Sequence, residues 1–188
     1  MKTLILNGSP RPKGDTAALL ERLIPQITGE VRRFDACRRA FSPCVDCRAC
    51  RERAGCVLRD DMEEIYDYLP ECDSVLIASP LWFSQLSGPL LSLCSRFQTY
   101  FSARRFRGEE PLPKKKRGGV LLVGGGTGQP ERAYATAKII LREIGCRDIY
   151  PLLCSHRTDE LPAGEDEAVI AALPGLAAFL EGRGENVP

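Results

Sequence analysis

Cys44, Cys47, Cys50 and Cys56 gather four of the chain's nine cysteines into one short stretch. Three thiols spaced by three, with a fourth six residues on, suit a cubane iron–sulfur cluster, in which four thiolates converge on one small body. Structural zinc is a second reading, although it usually joins two cysteine pairs across a longer interval. Free thiols, or a loop closed by a disulfide, are a third. Spacing alone leaves all three open. The opening MKTLILNGSP has too short an apolar run for an export signal, so a reducing cytoplasm is the expected setting. Cys37, Cys72, Cys94, Cys146 and Cys154 read as small buried apolar residues.

Three other segments carry groups able to hold a ligand. Gly8-Ser9-Pro10-Arg11-Pro12-Lys13-Gly14-Asp15-Thr16 offers backbone N–H groups, the hydroxyls of Ser9 and Thr16, and the cations Arg11 and Lys13 ahead of a helix start. Such a set suits phosphate, although it also reads as an ordinary Gly/Pro turn. No Gly-Lys-Ser/Thr order occurs, so it is not a Walker A loop. Ser79-Pro80-Leu81-Trp82-Phe83-Ser84-Gln85 places the single Trp beside a Phe, as a flat wall for a planar ring or as packing under a loop. Gly124-Gly125-Gly126-Thr127-Gly128 permits close backbone approach, but Gln129 stands where a dinucleotide fingerprint needs glycine. His156 is the only histidine, which leaves no His-based relay; a surface or subunit contact is expected for it. Lys114-Lys115-Lys116-Arg117 reads as a solvated loop. Arg104, Arg105 and Arg107 read as charged surface, with a nicotinamide 2′-phosphate or a neighbouring subunit as alternatives. Glu181 to Pro188 reads as a frayed tail.

The elements that must position these groups follow from hydrophobic spacing. Leu4-Ile5-Leu6, Val75-Leu76-Ile77-Ala78 and Val120-Leu121-Leu122-Val123 are continuous apolar runs ending in turn residues, as strands buried on both faces are. Val31 to Phe34, and Ile149 to Cys154 with Pro151 inside, are weaker strands that belong at sheet edges. Helical spacing fills the intervals: Leu20 to Ile27 behind an Asp15-Thr16 cap, Met62 to Leu69, Leu86 to Phe101, Tyr134 to Ile144, and Val169 to Leu176 after Glu165. Alternating strands and helices predict a three-layer α/β/α sandwich with a five-stranded parallel sheet in the order 2-1-3-4-5. One domain over residues 1–188 is expected, with a cysteine-rich insertion at about 36–60. In that order ligands sit beyond the carboxyl ends of the strands, where the three loops above converge. Twenty-six Lys and Arg against 25 Asp and Glu leave a net charge of +1, no basis for nucleic acid or an anionic membrane. No apolar run approaches the ~20 residues of a membrane span.

These residues resemble the flavodoxin-like NADPH-dependent FMN reductase family, and within it the iron–sulfur flavoprotein branch. The likeness rests on Gly8-Ser9-Pro10-Arg11 with Gly14-Asp15-Thr16, on Cys44, Cys47, Cys50 and Cys56 followed by Asp60-Asp61-Met62, and on Ser79-Pro80-Leu81-Trp82-Phe83 with Ser87-Gly88. The resemblance implies FMN, its phosphate held by Ser9, Arg11, Lys13, Asp15, Thr16 and Ala17. Pro80, Leu81, Trp82, Phe83 and Ser84 would line the ribityl chain and ring, with Gly125 and Gly126 on the other flank. It also implies a [4Fe–4S] cluster on the four cysteines. Asp15 stands where the family usually has Asn, which sets a carboxylate beside a phosphate; turned away, it would serve only as a cap. The family's Lys and Asp-Arg on the third helix appear as Leu91 and Ser95-Arg96, a departure expected to touch assembly. The implied activity moves electrons from NAD(P)H, or from an electron-carrier protein, to a small acceptor such as a quinone or flavin. The alternative is a non-enzymatic electron-transfer flavoprotein. No side chain is singled out as catalytic, because the cofactor carries the chemistry. A homodimer or homotetramer is expected, since the apolar stretch from Trp82 to Phe101 exceeds what one helix can bury.

Overall fold

The computed structural model describes residues 1–183. Seven strands form one sheet: β1 (Lys2–Asn7), β2 (Glu30–Asp35), β3 (Ser74–Trp82), β4 (Gln85–Leu86), β5 (Lys116–Val123), β6 (Cys146–Ile149) and β7 (Leu153–Ser155). The sheet order is β2-β1-β3-β5-β6, with β4 paired antiparallel to β3 and β7 paired parallel to β5. With β6 and β7 taken as one interrupted edge strand, this is the flavodoxin-like order expected from the sequence.

The apolar runs are continuous because each strand feeds two cores. Leu4, Leu6, Val75, Ile77, Val120 and Leu122 face one side, against α2 (Met62–Tyr68), α3 (Gly88–Ser95) and α5 (Pro130–Glu143). Ile5, Leu76, Ala78, Leu121 and Val123 face the other, against α1 (Asp15–Leu23) and α6 (Glu167–Leu180). Side chains on a strand alternate between faces, so a strand covered on both sides is apolar at consecutive positions.

Several expectations are corrected. The fifth strand is two short ones: Pro151 sits in the break between β6 and β7, not inside a strand. β3 runs on through Pro80 to Trp82, because its partner β1 has ended at Asn7 opposite Ala78. The helix expected over Leu86 to Phe101 is divided: α3 stops at Ser95, tight turns bond Arg96 N to Leu93 O and Phe97 N to Cys94 O, and α4 (Gln98–Ser102) follows. A π-turn, Ala103–Arg107, extends α4. Lys116 is not solvated; it opens β5 fully buried, with Nζ donating to Lys114 O at 3.0 Å, and burial lowers its pKa. Cys72, Cys94 and Cys146 are buried as expected, whereas Cys37 and Cys154 are half-buried. Glu181 is no frayed tail. Its Oε1 accepts from Thr28 N, Thr28 Oγ1 and Gly29 N at 2.7, 2.7 and 2.9 Å, and it pairs with Arg183. The remainder of the expected tail lies outside the described residues. Among the described residues, no helix is long and apolar enough to cross a membrane.

Candidate functional site

A cleft opens at the carboxyl ends of β1, β3 and β5, and each contributes the loop that leaves it. Ser9, Pro10, Arg11, Gly14, Asp15 and Thr16 form one side, and Pro80, Leu81 and Trp82 another. Val123 and Gly125 close it, together with Thr158 and Asp159. Of the residues expected here, Ser9, Arg11, Asp15, Thr16, Pro80, Leu81, Trp82 and Gly125 are brought together. Lys13, Phe83, Ser84 and Gly126 lie off the cleft wall, Lys13 and Phe83 exposed, and Ala17 is sealed in the core.

The start of α1 is what makes this cleft suited to an anion. Its N-cap is Gly14, not Asp15 or Thr16, and no side chain caps the helix end. Helical bonding begins with Ala18 N to Gly14 O at 2.9 Å, so the N–H groups of Asp15, Thr16 and Ala17 have no acceptor within the helix. That end carries a partial positive charge, and Arg11 adds a full one. With its side chain in the core, Ala17 has only its backbone N–H to offer a ligand. The Asp15 carboxylate is tied elsewhere: its Oδ1 accepts from Ala163 N at 2.9 Å, which draws the loop before α6 toward α1. The Ser9 hydroxyl accepts from Arg11 N at 3.3 Å and fixes the turn.

The second loop is a hairpin in which Trp82 pairs with Gln85 and Leu81 with Leu86. Its two turn residues, Phe83 and Ser84, have φ of +54° and +59°, a conformation normally left to Asn and Gly. Ser79 Oγ staples the hairpin, accepting from Ser87 N at 3.0 Å and donating to Pro80 O at 2.8 Å. Trp82 is half-exposed on the cleft wall, and the Phe83 ring stands wholly in solvent.

Sequence reasoning missed Thr158 and Asp159. Arg157 N, Thr158 N and Asp159 N donate to Gly126 O, Gly124 O and Gly125 O at 3.0, 3.1 and 3.4 Å, so the loop after β7 is zipped to the glycine loop. A Cβ at Gly125 would fall 2.5 Å from Asp159 Oδ2, which explains the glycine there. No local sequence signal marks Thr158 or Asp159, because their place depends on the pairing of β7 with β5.

The four cysteines line a second cavity, with Val45, Val57, Leu58, Phe101 and Phe106 as apolar wall and Arg48, Arg51 and Arg96 as cations. Cys44 and Cys47 are exposed, and Cys50 and Cys56 half-buried. Among the described residues, no three His, Cys, Asp or Glu side chains converge as a single ion requires. Four thiols border this one space, and a cubane would take one cysteine thiolate at each of its four irons. The other cysteines are poor ligands: burial pushes the Cys72 thiol up to about 11 and that of Cys94 to about 12.

Residues 36–61 hold little regular structure, and the segment from α3 to the π-turn supports them. Ser95 Oγ accepts from Cys44 N at 2.9 Å, Cys50 Sγ lies 3.3 Å from Ser102 Oγ, and Arg107 donates to Cys50 O. Arg96, fully buried, donates to Ser42 O, Leu58 O and Asp60. Ser95 and Arg96 thus hold the cysteine segment. Asp60 sits below the ordinary carboxyl pKa of 3.8: burial raises it, but Arg96 and the N–H groups of Ser42 and Met62 pull it further down.

Comparison with known proteins agrees with this geometry. The chain is 28% identical over 148 residues to an iron–sulfur flavoprotein of Archaeoglobus fulgidus, covering 77% of this chain and 64% of that one. It is 31% identical over 129 residues to another from Methanocaldococcus jannaschii, covering 67% and 62%. The match thus spans less than two thirds of those relatives' own length. An NAD(P)H:quinone oxidoreductase from Methanothermobacter marburgensis shares the fold, with a TM-score of 0.67 at 18% identity over 97% of this chain and 96% of that one. Residues 1–155, which carry all three strand-end loops and the cysteine segment, match the family model of NADPH-dependent FMN reductases, and the chain belongs to that family.

Proposed function

We propose that this protein is an FMN-dependent oxidoreductase that moves electrons from a reduced nicotinamide, or from an electron-carrier protein, to a small acceptor such as a quinone or flavin. The observation that carries this reading is the uncapped start of α1, facing a cleft with Trp82 on its wall. The N–H groups of Asp15, Thr16 and Ala17, with Arg11, hold the phosphate. Leu81 and Trp82 bear on the flavin ring, and Gly125 leaves room at its other flank. Cys44, Cys47, Cys50 and Cys56 hold a [4Fe–4S] cluster, for which the cavity offers four thiols, an apolar wall and cations. When bound, FMN supplies pairwise or single-electron exchange and the cluster single-electron exchange, while the protein binds and orients. No proton-transferring side chain is required of the chain. A second copy would cover the exposed Trp82 and Phe83, and light scattering that gives a monomer mass would refute that assembly.

Anaerobic purification followed by flavin extraction tests the cofactor, with FMN as the expected product. FAD, or a colourless protein, would overturn the reading. Oxidation of NADPH at steady state with quinone or ferricyanide tests the activity, and a flavin-loaded protein without turnover would instead be an electron carrier.

A further inference from the structure

We infer that Arg96 is the positioning residue of the cysteine segment, closing its neck and holding a fixed positive charge against the sulfur cavity. The inference rests on the reading that the four cysteines carry a cluster.

The neck is made by one guanidinium. Arg96 Nη1 donates to Ser42 O at 2.8 Å and to Asp60 Oδ2 at 2.7 Å, and Nη2 donates to Leu58 O at 3.3 Å. Ser42 lies two residues before Cys44, and Leu58 two residues after Cys56. A single planar fork therefore fastens both ends of the segment that carries all four thiols. Asp60 Oδ2 also accepts from Ser42 N at 3.2 Å, so the same carboxylate completes the knot. A lysine at this position would keep the charge but lacks the fork geometry that reaches three acceptors.

The charge is placed as well as the clamp. The Arg96 side chain is 0% exposed, and Asp60 is the acid it pairs with. Its Nε is buried without a hydrogen-bond partner, and the same side chain lines the cysteine cavity. A buried N–H left unmade is costly, and such a cost persists where a ligand completes the site. Arg48 and Arg51 also line the cavity but are exposed, so solvent weakens their effect on it. Metal binding requires deprotonated cysteines, which concentrates negative charge beside the buried cation.

The test compares wild type, Arg96→Lys and Arg96→Met after anaerobic reconstitution with iron and sulfide. Arg96→Lys is expected to lose at least half of its iron and sulfide while the remaining cluster keeps a near wild-type potential. Arg96→Met is expected to lose more iron, and its residual cluster to reduce about tenfold less favourably, ~59 mV for one electron. FMN content should be unchanged in both. A purely structural residue would alter occupancy without separating the two variants in potential. Should Arg96→Met fail to fold, the neutral Arg96→Gln takes its place in the potential measurement, and wild-type iron in Arg96→Lys overturns the inference. Amide hydrogen exchange of residues 43–57 in the metal-free chain, expected to rise at least tenfold in either variant, isolates the clamp. Wild-type exchange there overturns it. Wild-type protein that takes up no iron or sulfide would sink the cluster reading and the charge role together, while the exchange result still decides the clamp.

Discussion

The strand-end cleft takes its shape from the sheet, whereas the cysteine segment takes its shape from a neighbouring helical stretch. Each wall of the cleft continues a strand fixed by parallel pairing, and the loops are further tied by backbone bonds such as Thr158 N to Gly124 O. Residues 36–61 have two short 3₁₀ turns and depend on Ser95, Arg96, Ser102 and Arg107 for support. The first region spreads its positioning over many bonds. The second concentrates it in a few side chains, so single substitutions should damage it far more.

The largest expected effect is therefore in the cysteine segment. Cys47→Ser should abolish iron content and brown absorbance after anaerobic reconstitution, because a cubane needs all four ligands, while FMN stays bound in the separate cleft. Iron, sulfide and flavin assays on one preparation check this. Joint loss of iron and flavin would show that the two regions are not independent.

Next comes the ion pair at the neck. Asp60→Asn leaves the buried Arg96 cation without its counter-charge, which costs about 3–5 kcal/mol in such pairs. The pH dependence has a definite sign. Because Asp60 titrates below 3.8 in the folded protein, its stabilisation is complete above that value and fades as pH falls through its lowered pKa. Urea unfolding of wild type and Asp60→Asn should thus diverge at neutral pH and converge in acid. A constant difference across that range would show that Asp60 does not act through its charge.

Substitutions in the cleft should be milder. Arg11→Ala should weaken FMN binding by about 1.5–3 kcal/mol, the scale of one charge-assisted hydrogen bond. Asp15→Asn should tighten it by less than tenfold, since an amide oxygen can still accept from Ala163 N while the negative charge near the phosphate is gone. Flavin titration reads both, and weaker binding in Asp15→Asn would show that the latch needs the carboxylate.

The same contrast governs what the sequence revealed. Leu4 to Leu6, Val75 to Ala78 and Val120 to Val123 are legible as strands because burial on both faces writes itself into consecutive apolar residues. The strand-end loops follow from that order. Features set by long-range partners were not legible: Asp15 reads as a cap until Ala163 is seen beside it, and Glu181 reads as a tail until Thr28 and Gly29 are. Arg96 reads as a helix residue because its acceptors lie 36 to 54 positions away. Lys116 lies in a run of cations, and only the sheet shows that it is buried.

The smallest effect belongs to the hairpin turn, where two consecutive residues of the cleft region carry local strain. Phe83 and Ser84 both occupy the left-handed region, at φ of +54° and +59°, because the pairing of Trp82 with Gln85 leaves two residues to reverse the chain. An L-residue there loses about 1–2 kcal/mol that glycine does not, while glycine gives back about 0.5–1 kcal/mol in unfolded-chain entropy. Ser84→Gly should therefore stabilise the protein by about 0.5–1 kcal/mol, or a melting shift of ~1–4 °C for a domain of this size. Flavin affinity should not change, because Ser84 lies off the cleft wall. Stability falling instead would mean that the hydroxyl supports the turn, and the cleft region would then share the dependence on single side chains seen at the cysteine neck.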